Sequence, residues 1–129
     1  TRIGKLVCKA ADAVGYTNLG TAEFLRADNG EFYFIEINAR LQVEHPITEL
    51  VSGLDLVKLQ LDIANGEPIP FKQSDLKMNG YAIECRINAE DTFLEFAPST
   101  GPISDVIIPA GPSVRCDTYL NPRCSGSPF

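Results

Sequence analysis

Polar side chains stand at every second position of the stretch FIEINARLQVEHP, residues 34–46: Glu36, Asn38, Arg40, Gln42 and Glu44. In an extended strand side chains alternate between faces, so Ile35, Ile37, Ala39, Leu41 and Val43 share the opposite side. Phe32 and Phe34 precede the polar series on its own face, which therefore begins apolar and gains charge toward its C-terminal end. An ionised carboxylate at the edge of such cover is costly to desolvate unless something neutralises it. A cross-strand Arg or Lys is one partner, and a divalent cation is another. Glu23 lies across an Asn-Gly turn from Glu36, and Asn38 is one step further along the same face. Two carboxylates and an amide oxygen are hard ligands of the kind Mg²⁺ or Mn²⁺ accepts, with water or phosphate oxygens completing the octahedron. A solvated or salt-bridged face would use the same three residues.

The remaining members of the series extend the argument. The planar fork of Arg40 suits a carboxylate, carbonate or phosphate, Gln42 can orient such an anion, and Glu44 can take a proton from it. An exposed charge ladder accounts for the same residues, and Glu44-His45-Pro46 also reads as a helix entry. A second alternating run places Glu84, Arg86, Asn88 and Glu90 on one face and Ile83, Cys85, Ile87 and Ala89 on the other. Arg86 there serves either a ligand or its neighbours Glu84 and Glu90. Spacing alone supports an anion and metal site on a sheet and goes no further.

These residues need elements to hold them. Ile3, Leu6, Val7, Ala10, Ala11 and Val14 recur at helical spacing with Gly15 as the stop, which predicts a helix over residues 2–14. The runs 21–25 and 31–38, joined through Asp28-Asn29-Gly30, predict an antiparallel hairpin with a short Asn-Gly loop. Pro46 suits a first helical turn, and Leu50, Val51, Leu54, Val57, Leu61 and Ala64 continue at three- and four-residue steps. Gly53 followed by Asp55, a natural N-cap, divides that pattern into two helices. Residues 66–80, rich in Pro, Lys, Asp and Gly, read as a linker, residues 81–90 as a strand, and residues 98–129 as short β-hairpins with irregular loops. No internal repeat interrupts this order.

Composition bounds the function classes. The 129 residues, 44% hydrophobic and 22% charged, have the profile of a globular chain. A chain of this size ordinarily buries roughly two-thirds of its unfolded surface, so a core is expected without staples. A net charge of −6 argues against a general nucleic-acid binder. No apolar run reaches the ~20 residues that span a bilayer, and the expected location is intracellular: cytoplasmic, or the mitochondrial matrix if the source is eukaryotic. Cys8, Cys85, Cys116 and Cys124 are too irregularly spaced for a zinc site or a disulfide framework and are expected to be reduced. The single histidine, His45, rules out multi-histidine metal sites. Thr1 runs straight into a helix and Phe129 follows no closing element, the pattern expected of an excised piece.

Three segments carry a resemblance to a known family. Gly20-Thr21-Ala22-Glu23-Phe24-Leu25, then residues 32–49, then Glu84-Cys85-Arg86-Ile87-Asn88-Ala89-Glu90-Asp91 resemble, in order, the biotin carboxylase component of biotin-dependent carboxylases, such as acetyl-CoA, propionyl-CoA or pyruvate carboxylase. The element E-x-N-x-R is shared across the ATP-grasp superfamily, whereas Gln42-Val43-Glu44-His45-Pro46 and the segment around Arg86 are far more specific. The resemblance implies an α+β fold: the C-terminal half of an ATP-grasp domain over residues 1–66, followed over 67–129 by part of the biotin carboxylase C-terminal β-rich domain.

It also implies a chemistry. ATP phosphorylates bicarbonate to carboxyphosphate, and the CO₂ released is captured by the ureido nitrogen of biotin. By resemblance, Glu23, Glu36 and Asn38 hold Mg²⁺ or Mn²⁺ against the ATP phosphates, and Leu25 lines the adenine pocket. Arg40, Gln42 and the Val43 backbone bind bicarbonate, Glu44 is its general base, and Arg86 stabilises the enolate-like biotin oxygen. His45 and Pro46 shape the turn. The family places its glycine-rich lid and phosphate-binding lysines upstream of the first acidic ligand, and only 22 residues precede Glu23, so the chain by itself is expected not to turn over ATP. Biotin is expected on a separate carrier domain or chain, with a carboxyltransferase component as a further partner and a homo-oligomeric parent. Relatives typically carry glycine at the Arg123 position and a valine-like residue at Gly126. Exposed apolar edges are expected to make the piece self-associate. Two other readings remain: a carbamoyl-phosphate-forming ATP-grasp ligase, and an interaction module that kept the fold without catalysis.

Overall fold

The structure, a computed structural model, describes residues 1–120 together with Ser125 and Gly126. The chain divides into two compact units, Thr1–Glu84 and Cys85–Phe129. In the first, helix α1 (Arg2–Ala13) is capped at its start by Thr1, whose hydroxyl accepts from the Gly4 N–H at 3.1 Å. It ends in a Schellman arrangement, with Tyr16 N–H bonded to the Ala11 carbonyl and Gly15 N–H to that of Asp12.

Strands β1 (Thr21–Arg26) and β2 (Phe32–Asn38) pair antiparallel as expected. Their loop has three residues, Asp28, Asn29 and Gly30, closed by Ala27 N–H on the Glu31 carbonyl at 2.9 Å. Gly30 takes φ +83°, the left-handed residue that a type I turn needs before it re-enters a right-twisted hairpin. The register contains one irregularity. Glu23 faces Glu36 but Phe24 faces Phe34, which leaves Ile35 with no opposite residue. The bulge corrects the simple alternation: Phe34 pairs with Phe24, on the side away from Glu23, and their rings meet edge to face with centroids 5.8 Å apart.

Two short helices follow, α2 (His45–Ser52) and α3 (Leu56–Ala64), separated where Gly53 and Asp55 predict. Asp55 caps α3 by accepting from Lys58 N–H at 2.7 Å, and Glu49 of α2 accepts from Leu56 N–H at 2.6 Å. The segment after α3 includes a 3₁₀ turn (Gln73–Asp75) and is tied back to α2 by Asn79 N–H on the Val51 carbonyl, 2.7 Å.

Among its described residues the second unit holds only two-residue strands: β3 (Glu90–Asp91) with β4 (Ala97–Pro98), and β5 (Gly101–Pro102) with β6 (Ser125–Gly126). The strand expected over residues 81–90 is not formed; of that run only Glu90 enters a ladder. Alternation supplies a face but not a partner, and among the described residues no second strand pairs with residues 81–89. Tyr81, Ile83 and Ile87 are accordingly exposed.

The expected core is likewise not formed among the described residues. Among the described residues Val51 is the only buried hydrophobic side chain, while Leu6, Leu25, Phe34, Ile35, Ile37 and Leu61 are each about half exposed or more. A single hairpin and three short helices have too few facing surfaces to cover one another. Cys8, Cys85 and Cys116 are unpaired and exposed, while Cys124 and the departure at Arg123 lie outside the described residues. Among the described residues no helix is long and apolar enough to cross a membrane.

Candidate functional site

The hairpin register carries the site. Glu23 and Glu36 are directly opposed, and Thr21 is opposed to Asn38, so the two carboxylates and the amide converge at the open end of the two strands. Asn38 Nδ2 donates to Glu23 Oε1 and to Glu36 Oε1, each at 3.0 Å. Gln42 Nε2 donates to the same Glu23 oxygen, also at 3.0 Å. Glu23, Asn38 and Gln42 are half-buried, and Glu36 is exposed.

Strand β2 ends at Asn38, so Arg40, Gln42 and Glu44 do not continue its face as a ladder. They belong instead to the irregular segment that turns into α2. This corrects the extended reading of residues 39–44, yet the turn returns two of the three to the cluster. Gln42 reaches Glu23, and Arg40 Nη2 lies 3.4 Å from Asn38 Oδ1 while its Nη1 donates to the Leu41 carbonyl at 3.2 Å. Glu44 is the N-cap residue of α2 and makes no side-chain capping bond. Val43 is exposed at the turn, and Leu25 is exposed on β1 two residues beyond Glu23. Arg86 belongs to the second unit, where it is exposed; in that unit Asn88 donates to Glu90 at 3.3 Å.

The electrostatics fit a cation. Like charges directly opposed on a hairpin repel. The Asn38 amide that bridges Glu23 and Glu36 is neutral, as is the Gln42 amide on Glu23, and the Arg40 guanidinium bonds an amide oxygen and a carbonyl rather than either carboxylate. Both of these amide bonds to Glu23 fall on Oε1. Among the described residues no three acidic, His or Cys side chains gather closely enough to enclose a metal by themselves. Two carboxylates with room for phosphate oxygens and water is the usual donor set for Mg²⁺ in phosphoryl-transfer sites. Asn38 would join them by a half-turn of its amide, since its Nδ2 faces the carboxylates here.

Two contacts were not legible in the sequence, although His45 was expected to shape the turn. His45 Nδ1 lies 2.8 Å from the Gln42 carbonyl. Gly20 is hemmed in: a Cβ there would lie 3.3 Å from the Asn38 carbonyl and 3.3 Å from the Tyr16 ring. A histidine three residues after a turn glutamine, and a glycine just before a strand, were the available signals.

Known proteins resemble this chain in sequence and in fold. Residues 1–72 match the carbamoyl-phosphate synthase L chain ATP-binding domain, and residues 84–129 match the biotin carboxylase C-terminal domain. The chain belongs to this ATP-binding family, in the biotin carboxylase branch that joins the two domains. It is 53% identical over 120 residues to the biotin carboxylase of Allochromatium vinosum, covering 92% of this chain and 26% of the relative. It is 53% identical over 118 residues to the biotin carboxylase of Haemophilus influenzae, covering 92% of this chain and 26% of that protein. The biotin carboxylase domain dimer of the Hydrogenobacter thermophilus 2-oxoglutarate carboxylase, in complex with MgADP, ADP and bicarbonate, superposes with a TM-score of 0.84 at 44% identity over 96% of this chain and 30% of that one. The chain thus spans about a quarter of the length of the curated relatives it matches.

Proposed function

We propose that this chain supplies the metal-, bicarbonate- and biotin-contacting residues of a biotin carboxylase that carboxylates biotin with ATP and bicarbonate. The observation that carries the reading is the convergence of Glu23, Glu36, Asn38 and Gln42 at one end of the hairpin, beside Arg40. The complex of the Hydrogenobacter thermophilus domain with MgADP and bicarbonate supports it. Residues 1–66 form the C-terminal part of the ATP-grasp domain and residues 67–129 part of the C-terminal domain.

Glu23 and Glu36, with Asn38, hold Mg²⁺, and Mn²⁺ serves the same donors. Bound there, the cation neutralises charge that develops on the ATP phosphates. Leu25 lines the adenine pocket. Arg40 and Gln42 clamp bicarbonate with the Val43 N–H, and Glu44 takes its proton as the anion attacks the γ-phosphorus of ATP and ADP departs. Arg86 stabilises negative charge on the biotin ureido oxygen. Biotin arrives on a separate carrier domain, the product passes to a carboxyltransferase component, and the parent is a homo-oligomer of the cytoplasm or the mitochondrial matrix.

The test is bicarbonate-dependent ADP release by the full-length protein, stimulated by free biotin. Glu44→Gln and Arg86→Ala are each expected to lower kcat by about 100-fold or more. ADP release that ignores bicarbonate and biotin, or is indifferent to both substitutions, would overturn the assignment.

A further inference from the structure

We propose that His45 is a positioning residue for the bicarbonate site, acting through the peptide plane between Gln42 and Val43; this rests on the function proposed above. The Gln42 carbonyl accepts twice from the same residue, from the His45 backbone N–H at 3.2 Å and from ring Nδ1 at 2.8 Å. A carbonyl only accepts, so Nδ1 carries the proton and the tautomer is set. Gln42 is thereby anchored at both ends, its side chain on Glu23 and its carbonyl on His45.

The Gln42 C=O and the Val43 N–H belong to one planar trans peptide unit and point in opposite directions. Holding the carbonyl toward His45 therefore aims the Val43 N–H away from α2. That N–H finds no acceptor among the described residues, and an unfilled backbone donor beside Arg40 and Gln42 is what a small oxyanion needs. His45 is half-buried where the chain enters α2, so its ring is restrained by its surroundings as well as by the bond. No other side chain in the chain has this ring geometry, since His45 is its only histidine.

The substitutions that separate the roles are His45→Asn and His45→Gln in the full-length protein. Asparagine places an amide N–H where Nδ1 stands, and glutamine carries it one methylene too far. Loss of one neutral hydrogen bond predicts a rise of about fivefold or more in KM for bicarbonate in H45Q. KM for ATP should stay within about twofold, and H45N should return the bicarbonate KM to near wild type. Equal KM values for bicarbonate in the two variants, or parallel rises for ATP and bicarbonate, would overturn the proposal. So would an H45Q protein melting well below H45N, because the bond would then serve the fold rather than the anion. Wild-type protein without bicarbonate-dependent ADP release would instead sink the functional reading, and this proposal with it.

Discussion

Glu23 and Glu36 face each other across the β1–β2 hairpin, and a single Asn38 amide nitrogen, 3.0 Å from each, is shared between them. One NH₂ group bridges two anions without cancelling either. The pair is thus destabilising as it stands and is suited to a divalent cation. Glu36→Gln should separate these effects in the full-length protein. Removing the repulsion should leave the metal-free protein as stable or more stable, by about 0.2–1 kcal/mol. The rise in melting temperature on adding Mg²⁺ should be lost. Thermal melts with and without Mg²⁺ check both signs.

Gly20 sits where the chain enters β1 beneath the Tyr16 ring, whose hydroxyl donates to the Leu19 carbonyl at 2.7 Å. A methyl group there would press on the Asn38 carbonyl, which a paired strand cannot easily move. Gly20→Ala is expected to cost about 1 kcal/mol and to weaken Mg²⁺ binding through Asn38. Denaturant unfolding alongside a metal titration would show both effects or refute the coupling.

The turn end of the hairpin should respond weakly to pH through Glu31. The Tyr33 hydroxyl and then the Asn29 amide, each 2.8 Å from Glu31 Oε2, hold the Glu31 carboxyl below its ordinary value of 4.5. Because the folded value is the lower one, the contribution is present above the ordinary value and fades as pH falls through the folded value. The group is fully exposed, so the effect is small. Carboxyl-carbon NMR titration should give Glu31 the lower midpoint, and Tyr33→Phe should move it back up.

The 129-residue chain produced alone should be inactive and self-associating. Val51 is its only buried hydrophobic residue among those described, and the hairpin exposes Leu25, Phe34, Ile35 and Ile37. Exposed faces of this extent bind one another. Sedimentation should show mass rising with concentration, and no ADP should form. A monodisperse monomer that hydrolyses ATP would contradict both expectations.

Residue types and short-range periodicity determined a good deal by themselves. The helix over Arg2–Ala13, the hairpin through Asn29-Gly30, the break between α2 and α3 at Gly53 and Asp55, and the opposition of Glu23 to Glu36 were all legible. Each depends on caps, turn residues or a two-residue repeat acting within a few positions. Other features were decided only in three dimensions. The bulge at Ile35 turns Phe34 toward Phe24, and β2 stops at Asn38, so Gln42 reaches Glu23 from a loop rather than along a strand. Residues 81–89 alternate as strictly as any strand and yet form none. The physical reason is common to all three. A side chain's face follows from its own backbone, but a ladder, its register and its end require a second segment, and which segment pairs is a long-range matter that no local pattern encodes.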